Sequence, residues 1–187
     1  MPPLAPLTPT ERAFLAAART ATLATRPADA TDGAARLVPV CLVALDSDPA
    51  TTRLYTPLDD KPKRTADPRR LARVRDIQAH PRVTLLVDRW DEDWSHLGWL
   101  RVDGRATLLE PGAPTTAIEH RRAVEALRAK YPQYAGHALE TRPVIAVTIE
   151  RVSSWGDLSD PDDRGTRRSP SAGGSGSSSS PGDTPRR

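Results

Sequence analysis

Between Lys61 and Arg75 the chain places seven basic side chains, namely Lys61, Lys63, Arg64, Arg69, Arg70, Arg73 and Arg75, and within that span only Asp67 opposes them. Several convergent cations are what a phosphate or a longer polyanion requires, and arginine can offer two parallel donors to one anionic group. Lys61, Lys63 and Arg64 stand in a proline-broken loop, whereas the four arginines fall in the segment after it. A loop that leaves a strand and enters a helix N-terminus adds backbone N–H donors and a favourable dipole. Composition leaves two readings open: a clamp for an anionic ligand, or a solvated charged surface.

The segment RWDEDWSHLGW (89–99) concentrates Trp90, Trp94 and Trp99, three of the four tryptophans, beside Asp91, Glu92, Asp93 and His96. The acidic run lacks the turn glycine and distal glutamate of a calcium loop. A single histidine without a spaced partner does not make a zinc site. No metal is therefore expected. The tryptophans can wall a flat ring ligand, or they can pack a dimer interface or cap a barrel. His80, His96, His120 and His137 have no evident serine or cysteine partner, and no GxSxG, GxGxxG or Walker loop occurs. Cys41 is the one cysteine and lies inside an apolar run, so it reads as a buried thiol outside any disulfide framework. No catalytic side chain can be named, and any redox or transfer chemistry belongs to a bound cofactor.

These residues need a scaffold. Thr8-Pro9-Thr10-Glu11 fits a capping box opening a helix over 9–18. Alternation and β-branching predict strands at 20–26, 36–45, 52–56, 82–88, 99–110 and 143–155. Pro39 inside the second marks a bulge or a sheet edge. A helix over 68–80 should bury Leu71, Val74, Ile77 and Gln78, and a helix over 114–132 should bury Ile118, Val124, Leu127 and Tyr131. Six strands in mostly hairpin order, with helices between the third and fourth and between the fifth and sixth, predict an α+β fold built on an antiparallel barrel.

Of the 187 residues, 1–158 form the predicted folding unit, and the Ser/Gly/Pro-rich stretch 159–187 reads as a disordered tail. The net charge of +3 is small, so the local basic run matters more than the overall field. The run lacks interleaved aromatics and the charge elsewhere is balanced, which argues against nucleic acid as a partner. No apolar run is long enough for a membrane span and no signal peptide is visible, so a cytoplasmic protein is expected.

Four stretches carry a resemblance: ATLAT (21–25), LVPVCLVAL (37–45), LYTPLDDKPKR (54–64) and RLARVRDIQAHPRVTLLVD (70–88). In order and spacing they resemble the pyridoxamine 5′-phosphate oxidase-like split-barrel flavoproteins, and the resemblance covers roughly residues 8–158. The stretch around 88–106 and the run ALRAKYPQYA (126–135) resemble the coenzyme F420-dependent oxidoreductase branch in particular. The resemblance implies a six-stranded split β-barrel with peripheral helices that forms a homodimer. It implies hydride transfer between coenzyme F420 and a small conjugated substrate. FMN as the cofactor, or a member that binds a flavin or deazaflavin without catalysis, is the alternative. It further implies that Thr22, Ala24, Thr25, Pro39, Val40 and Cys41 approach the cofactor ring. Tyr55, Thr56, Lys61, Lys63, Arg64 and Arg73 would surround the phosphate or acidic tail, with Trp94 and Trp99 nearby. Arg73 stands where many relatives carry lysine, and Gly98 where an aromatic is expected.

Overall fold

A computed structural model describes residues 7–29, 33–48, 51–59 and 67–159. The predicted tail, Ser159 apart, and Lys61, Lys63 and Arg64 lie outside the described residues. Helix α1 (Pro9–Ala17) begins as its sequence demands: Glu11 N–H donates to Thr8 Oγ1 at 3.2 Å, and Thr8 N–H donates back to the Glu11 carboxylate at 2.9 Å. The strands are β1 (Ala21–Thr25), β2 (Arg36–Val40), β3 (Val43–Asp48), β4 (Thr51–Pro57), β5 (Arg82–Arg89), β6 (Gly98–Leu109) and β7 (Val144–Gly156). Helices α2 (Ala72–Ala79) and α3 (Ala117–Lys130) fall between β4 and β5 and between β6 and β7.

All strand pairs are antiparallel, in the order β2-β1-β5-β6-β7-β4-β3. The ends of that order, β2 and β3, are consecutive in the chain, with only Cys41 and Leu42 between them. The run predicted as one strand over 36–45 thus bends once and borders both sides of the sheet. Six predicted strands become seven for this reason, and the topology is that of a split barrel. At the bend Leu42 leaves the ladder, and Tyr131 replaces what it loses. The Tyr131 hydroxyl accepts from Leu42 N–H at 3.0 Å and lies 2.8 Å from Leu42 O. A buried backbone without those partners would be costly. Pro39 sits on β2, which pairs only with β1, so its missing N–H interrupts no ladder.

The inner face packs Leu23, Leu54, Leu85, Leu100, Val102 and Val147 into one core, closed by Phe14 and Leu15 of α1 and Val74 and Ile77 of α2. A second core lies on the outer face, where Ala123, Val124 and Leu127 of α3 cover Val43, Tyr55, Val144 and Ala146. Two predicted stripe positions are corrected. Ile118 is 74% exposed, and the buried His120 takes the first inward position of α3 instead, with its ring nitrogen 2.8 Å from Arg142 O. Gln78 is exposed, because Asp76 turns inward beside Ile77. Local spacing alone does not say which edge of an apolar stripe meets the sheet.

Candidate functional site

Helix α3 covers the outer face over β3, β4, the end of β6 at Leu109 and one half of β7, and among the described residues no helix covers the outer face of β2, β1, β5 and the rest of β6 and β7. The register aligns three rows of side chains on that open face. One runs Leu37, Ala24, Thr84, Asp103, Arg151, and the next runs Pro39, Thr22, Leu86, Arg101, Ser153. The third is Asp88, Trp99, Trp155. Four residues predicted to meet the cofactor, Thr22, Ala24, Pro39 and Trp99, are thereby brought onto one surface. Leu37 (64%), Leu86 (36%) and Trp155 (57%) are exposed apolar side chains on this surface among the described residues.

The loop before β6 is tightly built. Arg89 Nε donates to His96 O at 3.1 Å and its Nη1 to Ser159 O at 2.7 Å, while Asp93 Oδ1 accepts from Ser95 N–H at 2.9 Å. Gly98 and Gly156 let the two strands touch: a Cβ at Gly98 would overlap Asp157 O, and one at Gly156 would overlap Leu97 O. On this braced loop Trp90 and Trp94 are 71% and 75% exposed. Trp94 is therefore displayed outward, and Trp99 lies half-buried across from Trp155.

The remaining predicted residues divide. Val40 and Thr25 are buried on the inner side, and Cys41 sits half-buried at the bend against the core beneath α3. Tyr55 is buried under α3 and donates its hydroxyl to Glu119 at 2.7 Å, with Arg53 on the same carboxylate. Burial and that carboxylate push the Tyr55 hydroxyl well above its ordinary range. Thr56 is 2% exposed, and its hydroxyl has no hydrogen-bond partner among the described residues.

The basic helix does not act as a unit. Arg69 forks onto Glu110, with Nη2 to Oε2 at 2.6 Å, and Arg70 and Arg75 are exposed. Arg73 differs: it is half-buried, its Nε is fully buried, and it makes no hydrogen bond within the described residues. Burial lowers its pKa, and the Asp59 carboxylate opposes that loss from a distance. The Tyr134 hydroxyl lies 3.4 Å from Asp59 Oδ2. A cation held in a protein wall without a hydrogen-bonded counter-charge is costly unless a ligand completes it.

Asp76, one helical turn beyond Arg73, joins α2 to the mouth of the open face. Its 2%-exposed carboxylate accepts from Thr25 Oγ1 at 2.8 Å, Ala28 N–H at 3.0 Å and Arg36 Nε at 2.8 Å. The chain at both ends of the β1–β2 connection is thus fastened to one buried group. That connection borders a cleft of about 460 Å³ lined by Thr25, Arg26, Arg82, Thr84, Asp103 and Arg151 with their neighbours. Ligand sites typically occupy ~300–1,000 Å³. Neither the buried clamp made by Asp76 nor this cleft was among the sequence expectations. The inward turn of Asp76 beside Val74 and Ile77 has no periodic signal, and the cleft's residues meet only through strand register. Among the described residues no group of three or more histidine, cysteine or acidic side chains could hold a metal, and no helix is long and apolar enough to cross a membrane.

Comparison with known proteins gives one family match: the model described as pyridoxamine 5′-phosphate oxidase covers residues 7–156. No curated protein matches the chain at a significant level. Among solved structures, an FAD-binding protein from Mesorhizobium loti is similar at 25% identity with a TM-score of 0.53, over 79% of this chain and 94% of that one. A conserved hypothetical protein from Mycobacterium tuberculosis shares the fold at 20% identity and TM-score 0.58, over 90% and 94% of the two chains. A putative pyridoxamine 5′-phosphate oxidase from Listeria innocua shares it at 16% identity and TM-score 0.50, over 78% and 94%.

Proposed function

The chain belongs to the pyridoxamine 5′-phosphate oxidase family, and on that premise we propose that it binds a flavin-type cofactor and acts as an oxidoreductase, with the deazaflavin coenzyme F420 as its hydride carrier. The observation that carries this reading is Arg73. It is the residue that the resemblance aligns with the cofactor phosphate, and it is a half-buried guanidinium without a hydrogen bond inside the described fold. The Thr56 hydroxyl, buried and equally without a partner, fits the same ligand. The FAD-binding relative supports a flavin-type ring. Lys61, Lys63 and Arg64 add charge for an acidic tail, which favours F420 over the single phosphate of FMN.

In this reading Arg73 and Thr56 hold the phosphate. Thr22, Ala24 and Pro39 offer a flat, low-relief surface to the ring, and Trp99 bounds it. When bound, the cofactor supplies the hydride, and the protein supplies orientation and exclusion of water. The sheet face that exposes Leu37, Leu86 and Trp155 is the one on which a second copy of the chain would pack, giving a homodimer that encloses the ligand. A small conjugated molecule is the substrate class that a ring-stacked hydride donor serves.

The test is binding to purified protein. F420 fluorescence should be quenched at micromolar protein, with weaker binding of FMN. Tight FMN binding with no effect on F420 would select the FMN-dependent alternative. Failure of both would remove the cofactor assignment.

A further inference from the structure

The cleft at the end of the β1 and β5 strands has a charge imbalance that the cofactor reading does not use. Its two carboxylates are already matched. Asp103 accepts from Thr84 Oγ1 at 2.7 Å and from Arg151 Nη2 at 2.8 Å and Nε at 3.1 Å. Glu150 lies 3.4 Å from Arg105 Nε. Arg26 and Arg82, the two other cations of the lining, make no hydrogen bond or ion pair within the described fold.

Both are nevertheless rooted firmly. Arg26 follows Thr25, whose hydroxyl is held by Asp76, and Ala28 N–H is held by the same carboxylate. Arg82 opens β5, directly across from Arg105, and Ala106 N–H donates to Pro81 O at 2.7 Å beside it. A like-charge pair placed directly across two strands costs stability. Two exposed arginines on anchored backbone, at one concave site and without a charge partner among the described residues, offer convergent donors to an anion.

We propose that this cleft is an anion subsite in which Arg26 and Arg82 grip the phosphate or carboxylate end of a small organic ligand. Arg151, exposed at the rim and held on Asp103, keeps that carboxylate from repelling the guest. The subsite stands on the geometry of the cleft and holds whether or not F420 is the cofactor.

The experiment titrates the full-length protein with pyrophosphate in one arm and a tri-glutamate peptide in the other, by calorimetry at fixed ionic strength without any flavin. Wild-type protein should bind at least one probe. The double variant Arg26→Ala/Arg82→Ala should bind it about tenfold or more weakly, the loss expected for hydrogen bonds to a charged group. Its melting temperature should be unchanged or slightly higher, because neither side chain has a partner to lose among the described residues and Arg82 stands across from Arg105. A second double variant, Arg121→Ala/Arg122→Ala, removes the same charge from exposed positions on α3 and should bind as wild type. Preference for pyrophosphate or for the peptide identifies the anionic group. Absence of binding to both probes, unchanged binding by the first variant, or equal weakening in the second variant would overturn the proposal. Cofactor binding is measured separately, so its failure leaves this result intact.

Discussion

Replacing Asp76 by alanine should destabilise the domain more than any surface change near the site. The carboxylate is 2% exposed and accepts three hydrogen bonds, at 2.8, 3.0 and 2.8 Å. Its removal strands the Thr25 hydroxyl, itself 2% exposed, whereas Ala28 is exposed and its amide can turn to water. Each orphaned buried group costs about 1–3 kcal/mol. Arg36 is 37% exposed at its side chain and can turn to water, so its loss adds little. The expected total is about 2–3 kcal/mol, which lowers the melting temperature by roughly 5–10 °C for a domain of this size. Asp76→Asn keeps the shape and one acceptor and should cost about half as much.

The same group gives a pH signature. Burial by itself would raise the Asp76 carboxyl, but Arg36, the Ala28 amide and the Thr25 hydroxyl together hold it below its ordinary value of 3.8. A carboxylate held lower in the folded than in the unfolded chain stabilises fully above the unfolded value. That stabilisation is lost as pH falls through the folded one. Thermal unfolding followed by circular dichroism from pH 7 to pH 3 should therefore show a constant gap between wild type and Asp76→Asn near neutrality. The gap should narrow below about pH 4. A melting temperature for Asp76→Ala within about 2 °C of wild type, or a gap unchanged down to pH 3, would refute the argument that this carboxylate clamps the β1–β2 connection.

Three further outcomes are expected. Arg73→Ala should weaken cofactor binding by about 10–100-fold with little change in melting temperature, since it removes a charged donor that has no hydrogen bond within the described fold; an equal loss of stability and binding would make Arg73 structural. Gly156→Ala should cost about 2 kcal/mol or more in denaturant unfolding, because Gly156 has φ +79° and its Cβ would meet the Leu97 carbonyl; a neutral result would mean that the β6–β7 end relaxes freely. Burial, chiefly, and the nearby Arg19 lower Lys130 from 10.5 to about 8, so stability should rise as pH climbs from about 8 towards 10.5, where the unfolded chain still binds the proton that the folded chain has released. Lys130→Met should flatten that rise in pH-dependent melting curves.

The capping box of α1, the alternating strands and the basic run were legible in local spacing, because each depends on neighbours three or four residues away or on a two-residue period. The order of those segments was also enough to carry the family resemblance, which the match over residues 7–156 bears out. What the linear chain could not express was which face of each strand stays open. That depends on α3 landing over β4 and β7, which brings Thr22, Ala24, Pro39 and Trp99 onto one uncovered surface and sends Tyr55 beneath a helix. Nor could it separate the seven cations: Arg69 is spent on Glu110, 41 residues away, while Arg73 is left without a hydrogen bond among the described residues. Composition set how much charge the chain carries. Only tertiary packing decided which charges were neutralised by partners distant in sequence and which two, Arg26 and Arg82, were left facing a cleft, because ion pairs form across space and carry no period along the chain.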